Sequence, residues 1–124
     1  MKLITIPMVP PSPNELRRKY RHPQAYRRLR EQWEHDLMYG VSCSRHRQEL
    51  IKQAKESNRV HVGVAIFHSK PYDPDNLVGS VKPILDALRN LGYIQDDTLE
   101  KLDLAVIQYV CKDARKTLVS IGPV

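Results

Sequence analysis

Between residues 60 and 91 the chain changes its apolar period once, and that change demands a sheet with a helix laid against it. Val62, Val64 and Ile66 alternate along the stretch from Val60 to Phe67, as on a strand with one buried face, and their β-branched side chains suit that conformation. After Asn76 the apolar residues Leu77, Val81, Ile84, Leu85, Leu88 and Leu91 fall at helical spacing, with Gly92 as the stop. Pro83 complicates this helix. Its ring would press on the carbonyl of Gly79 and remove one backbone bond, so the helix is either kinked there or begins near Pro83. Asp73-Pro74-Asp75-Asn76 sits between the two periods, after a strand end and before a helix.

The rest of the chain supplies the partners that a strand and a helix need. Leu3 to Ile6 reads as a short strand, and Pro7, Pro10, Pro11 and Pro13 then make an extended segment ending at Asn14. Tyr26, Leu29, Trp33 and Leu37 predict a helix over about 23–39, with Gly40 at its C-cap and Arg27, Arg28, Arg30 and Glu34 on the other face. A more polar helix is expected over roughly 44–57, with Leu50, Ile51 and Ala54 on one side. Ala105–Val110 and Thr117–Ile121 read as two strands joined by the polar turn 112–116, a hairpin that closes the domain. The order β, α, α, β, α, β, β predicts an α+β fold: one domain over residues 1–124, with a small mixed β-sheet flanked by helices. A chain of this length typically buries on the order of 65–70% of its unfolded surface, enough for one core.

Charge divides the chain. Residues 1–72 hold 14 Lys/Arg against 6 Asp/Glu, whereas 73–124 hold 6 against 8. A basic half that can hold phosphates, joined to acids that would repel them unless a cation were bound, suits metal-assisted cleavage of nucleic acid. Cys43 and Cys111 show no Cys-x-x-Cys spacing, so neither a zinc site nor a disulfide framework is suggested, and reduced thiols are expected. No apolar run approaches a membrane span, and the first residues do not form a signal h-region, so a cytoplasmic protein without a membrane partner is expected.

Asp73 and Asp75 stand two apart. In an extended chain their side chains point the same way about 7 Å apart, and a hard divalent cation relieves the repulsion between them. The plainer alternative is a turn supplying a helix N-cap. An EF-hand is excluded, because Leu77 and Val78 occupy positions where its loop needs an acid or amide and then glycine. Asp96 and Asp97 lie in a loop after Gly92 that can fold back over the first pair and offer a third carboxylate. Glu100 and Asp103 read as surface residues, and the five histidines show no ligand spacing. Lys82 has two readings: an i, i+4 partner for Asp86, or a charge that neutralises the transition state of phosphodiester cleavage. Spacing alone favours the first. Arg17, Arg18, Lys19, Arg21, Arg27, Arg28 and Arg30 are the candidate phosphate contacts.

Taken in order, Asp73-x-Asp75-Asn76-Leu77, Lys82, Asp86-Ala87-Leu88, Gly92-Tyr93 and Asp96-Asp97 resemble the signature of RusA-type Holliday-junction resolvases. Pro10-Pro11-Ser12 with Asn14, and the stretch Arg21 to Arg27, are similar to that family's N-terminal region. The resemblance implies a homodimeric, magnesium-dependent endodeoxyribonuclease, with manganese able to substitute, that resolves four-way DNA junctions in a bacterial or phage-infected cytoplasm and leaves 5′-phosphate ends. It implies that Asp73, Asp75 and Asp97 bind the metal, with Asp96 in reserve, and that Lys82 is catalytic. Two departures stand out. Val78-Gly79-Ser80 adds about one helical turn before Lys82, and the 38–58 segment is longer than the family pattern. A non-cleaving module of the same fold, or a less specific structure-selective nuclease, are the alternatives.

Overall fold

The alternating stretch in the middle of the chain becomes the strand around which the sheet assembles. The computed structural model describes residues 2–41, 43–57 and 59–124, so Ser42 and Asn58, both within the long 38–58 segment, lie outside the described residues. In chain order the elements are β1 (Lys2–Ile6), α1 (Pro13–Lys19), α2 (Pro23–Tyr39), α3 (Ser44–Glu56), β2 (Val60–His68), α4 (Pro74–Ser80), α5 (Lys82–Leu91), β3 (Leu102–Val110) and β4 (Lys116–Pro123). The four strands form one mixed sheet in the order β1-β4-β2-β3. The α+β single-layer sheet flanked by helices is as the sequence predicts.

The predicted hairpin is not. β3 pairs in parallel with β2, Val60 opposite Leu102 and His68 opposite Val110, while β4 pairs antiparallel with the other edge of β2. The two C-terminal strands are thus a split hairpin with β2 in the gap, and residues 111–115 bridge over its end. Burial explains the choice: Val60, Val62, Val64, Ile66 and His68 are all buried on one face of β2, and an interior strand hides them better than an edge. Both neighbours also satisfy its backbone groups, so neither row of N–H and C=O is left open.

Core packing follows the predicted apolar stripes. Leu29, Trp33 and Leu37 of α2, Leu50 and Ala54 of α3, and Ile84, Ala87 and Leu88 of α5 form one cluster with Ile4, Ile6, Val62, Ile66, Val119 and Ile121 of the sheet. Each large side chain so buried contributes roughly 1.5–3 kcal/mol. Gly92 caps α5 with φ +80°, the left-handed conformation expected of it. Gly40 does something else. Its φ of −69° is ordinary, and glycine is needed because a β-carbon there would collide with the side chain of Ile4.

The helices add one agreement and one difference. Of the two expectations for Pro83 the second holds: the run divides into α4 and α5 at Val81, a helix begins beside Pro83, and the proline takes its second position, where a missing N–H costs nothing. Pro13 and Asn14, expected to end the extended segment, instead open α1, which runs on to Lys19. Ser12 accepts a hydrogen bond from the Glu15 amide at 3.2 Å and Pro13 opens the helix. That is half of a capping box, and Ser12-Pro13-Asn14-Glu15 carried the signal in the sequence.

Candidate nucleic-acid and metal site

The acid motif leaves the sheet at the C-terminal end of β2. Gln108 of β3 ties down the connecting segment: its amide oxygen accepts from the Tyr72 N–H at 2.9 Å, and its amide nitrogen donates to the Tyr72 carbonyl at 2.7 Å. His68 reaches the same oxygen at 2.9 Å, and the Tyr72 hydroxyl donates to the Pro10 carbonyl at 2.8 Å. Sequence reasoning missed Gln108, because a glutamine inside a strand carries no local mark of what it will hold.

Asp73 is the N-cap of α4, with φ −61° and ψ 156°, the extended conformation that a residue before proline prefers. Pro74 then starts the helix, so Asp75 lies in its first turn and the two acids are not neighbours on an extended strand as expected. Both are exposed, and neither side chain has a hydrogen bond or ion pair with any described residue. Asp73 therefore holds the capping position without capping through its carboxylate.

Lys82, Asp86 and Arg89 form the second part of the site. Asp86, one tenth exposed at its side chain, receives the Tyr26 hydroxyl from α2, the Lys82 ammonium at 3.0 Å and the Arg89 guanidinium at 3.2 Å. Burial pushes the Asp86 carboxyl up, but the hydrogen bonds from Tyr26 and Lys82 and the charges of Lys82 and Arg89 outweigh it and hold it below its ordinary value. Tyr26 is the converse: burial, then its bond to this anion, raises the phenol, which stays a donor. The i, i+4 pairing of Lys82 is thus present. It leaves Lys82 65% exposed at the side chain, with its ammonium 5.2 Å from the Tyr26 ring centroid.

Arg89 carries the link to the third group. Its guanidinium stands 3.8 Å from both Asp96 and Asp97. The amide of Asp97 donates to Asp96 at 2.8 Å, and this bond, with the charge of Arg89, lowers the Asp96 carboxyl. The loop does not fold back over Asp73 and Asp75. Parallel pairing makes β2 and β3 start side by side, so one acid group follows the C-terminal end of its strand while the other precedes the N-terminal end of its neighbour. Among the described residues no group of three His, Cys, Asp or Glu side chains comes together as a metal site. Asp103 is engaged elsewhere, with His61 at 2.8 Å and Arg59 at 3.8 Å, and Glu100 is exposed.

The donor chemistry nevertheless fits a hard divalent cation. Asp73 and Asp75 offer carboxylate oxygens, open to solvent and free of competing cations, and magnesium typically takes only one or two protein carboxylates and completes its shell with water and phosphate.

The basic candidates separate by their partners. Lys19, Arg27 and Arg30 face Glu15, Glu31 and Glu34 at 3.7, 2.8 and 3.1 Å one turn away on their own helices. Arg17 bonds only to the Asn14 amide oxygen, and Arg18, Arg21 and Arg28 are exposed with no partner among the described residues. Arg17 and Arg21 line a pocket with Lys82.

No protein-family model matches the chain, and no curated protein matches it. No helix among the described residues is long and apolar enough to cross a membrane.

Proposed function

We propose that the protein is a magnesium-dependent endodeoxyribonuclease that resolves four-way DNA junctions by paired symmetric cuts, the activity its resemblance to RusA-type resolvases implies. One observation carries the proposal: two exposed carboxylates without partners, Asp73 and Asp75, stand at the start of a helix whose next turn borders a pocket edged by Arg17, Arg21 and Lys82. Acids with nothing to neutralise them beside a pocket edged by exposed cations, of which only Lys82 is paired with an acid, suit a cation and a phosphate arriving together.

In this proposal Asp73 and Asp75 hold the ion, whereas Asp97 and Asp96 stay with Arg89 before the opposite end of the paired strands and are not its ligands. The bound ion supplies Lewis-acid polarisation of the phosphodiester and activation of the attacking water. Lys82 gives its ammonium to the charge that builds on the phosphate oxygens, a role its exposure permits, while Asp86 accepts one hydrogen bond from that same ammonium and orients it. Arg17, Arg18, Arg21 and Arg28 take backbone phosphates, which orient the strand without reading its sequence.

A non-cleaving DNA-binding module of the same fold is the second reading, favoured by the pairing of Asp96 and Asp97 with Arg89. One assay separates the two. Purified protein is incubated with a four-way junction or a linear duplex of matched sequence, in magnesium or chelator. Symmetric nicks only in the junction and only with magnesium are expected; binding without nicks leaves the module, and equal cutting of the duplex removes junction selectivity.

Paired cuts need two sites, which a two-fold dimer supplies. The sheet face away from the helices supports such a pairing. Leu3, Ile107 and Tyr109 are 65, 49 and 50% exposed there, beside Ala65, Ala105 and Leu118, without a covering element among the described residues. Ile107→Asp is expected to halve the particle mass in sedimentation while the Tm stays within a few degrees. A variant that keeps the wild-type mass would move the dimer contact to another surface.

A further inference from the structure

The pocket between α1, α2 and the α4–α5 corner has a built shape that phosphate binding alone does not require. Its volume is about 560 Å³, inside the range of about 300–1,000 Å³ usual for small-ligand clefts. Pro13, Leu16 and Gly79 make an apolar floor, and the Tyr26 ring stands beside them. Gly79 lets the helices close up at that floor: a β-carbon on it would come 2.9 Å from the ring of Pro13. The residues that add a charge to the wall are Arg17, Arg21 and Lys82, all positive.

From this we infer that the pocket seats one unstacked nucleotide of the bound DNA, its base against the apolar floor and its phosphate on the cationic rim. The inference deepens the nuclease proposal and rests on it. A base has an apolar face and an anionic tether, and the pocket presents the complement of both. Apolar and aromatic surface gains from a base whatever its identity, whereas a bare phosphate gains nothing from Pro13 or Leu16. Branch points suit such a site, because a base already short of a stacking partner costs least to extrude. Lys82 lies where the floor meets the rim. Its ammonium is near the Tyr26 ring and exposed, so a seated nucleotide would present its phosphate to the residue proposed to act on the neighbouring bond. Asp75 precedes Gly79 by one helical turn, on the same face of α4.

The test measures binding in chelator, with no cleavage involved. A fluorescent pentathymidylate and an abasic pentamer with the same phosphates are titrated against the whole protein. Wild type is expected to prefer the base-bearing strand by about tenfold. Leu16→Gln, which puts an amide in the apolar floor, is expected to reduce that preference severalfold and leave abasic binding unchanged; Arg17→Glu with Arg21→Glu is expected to weaken both strands by a similar factor. Equal affinity of wild type for the two strands overturns the inference. So does a preference that survives undiminished in Leu16→Gln. Should that variant fail to melt cooperatively, a wild-type titration of a junction bearing 2-aminopurine at its branch point decides: its fluorescence must rise on binding, and an unchanged signal overturns the pocket. The nuclease proposal falls separately, on an absence of magnesium-dependent nicks.

Discussion

Asp75→Asn is expected to abolish magnesium-dependent junction cleavage while the protein keeps its fold and its grip on the junction in chelator. The size of the loss follows from what the carboxylate is proposed to do. A cation that stabilises charge on a reacting phosphate supplies several kcal/mol, so losing its seat costs about a thousandfold or more in rate. The fold is spared because the Asp75 side chain is exposed and makes no hydrogen bond or ion pair with a described residue. Binding in chelator should hold or tighten, since one negative charge facing the phosphates is gone. Quantitative nicking in magnesium, with an electrophoretic shift in chelator, reads both halves. If binding collapses with cleavage and the melting temperature falls, Asp75 serves the fold and the metal assignment fails.

Asp86→Ala is expected to cost about 2–4 kcal/mol of stability and to slow cleavage by about 10–100-fold, because one buried acceptor serves three donors from two helices. Removing it leaves the half-buried Tyr26 hydroxyl without its acceptor and frees Lys82 and Arg89 together. The two cations are well exposed, so most of the stability loss comes from the buried side of the network. The pH dependence distinguishes this from a simple cavity. In the folded protein the Asp86 carboxyl sits below its ordinary value of about 3.9, so its contribution is fully present above that value and is lost as pH falls through the folded one. Wild type and Asp86→Ala should thus differ most in chemical denaturation at neutral pH and converge in strong acid. A gap of constant size down to acid would mean that the carboxylate charge contributes nothing.

Much of the fold was legible because it rests on short-range rules. Alternation named β2, spacing of three and four named α2 and α5, and Gly92 marked a helix end, each from residues within a few positions of one another. The capping signal at Ser12 was just as local, but the prolines around it pointed to extended chain, and α1 was missed although it carries Arg17 and one wall of the pocket. The candidate site was legible only in its residue types. Asp73, Asp75, Lys82 and the arginines could be chosen from chemistry and order, yet nothing local says that Gln108 would hold Tyr72, or that Arg89 would hold Asp96 and Asp97.

What the sequence determined by itself is the four strands and the longer helices, the acid motif between a strand and a helix, and the division of charge. Only the tertiary structure decided that β2 lies between β3 and β4, and with that the separation of the two acid groups. Strand partners are chosen by total burial and by satisfaction of the backbone across the whole sheet, and a lone segment carries no record of that competition. The same holds for Asp86, an ordinary helix acid by spacing, which becomes the hub of the site because α2 packs across it and delivers Tyr26 from sixty positions away.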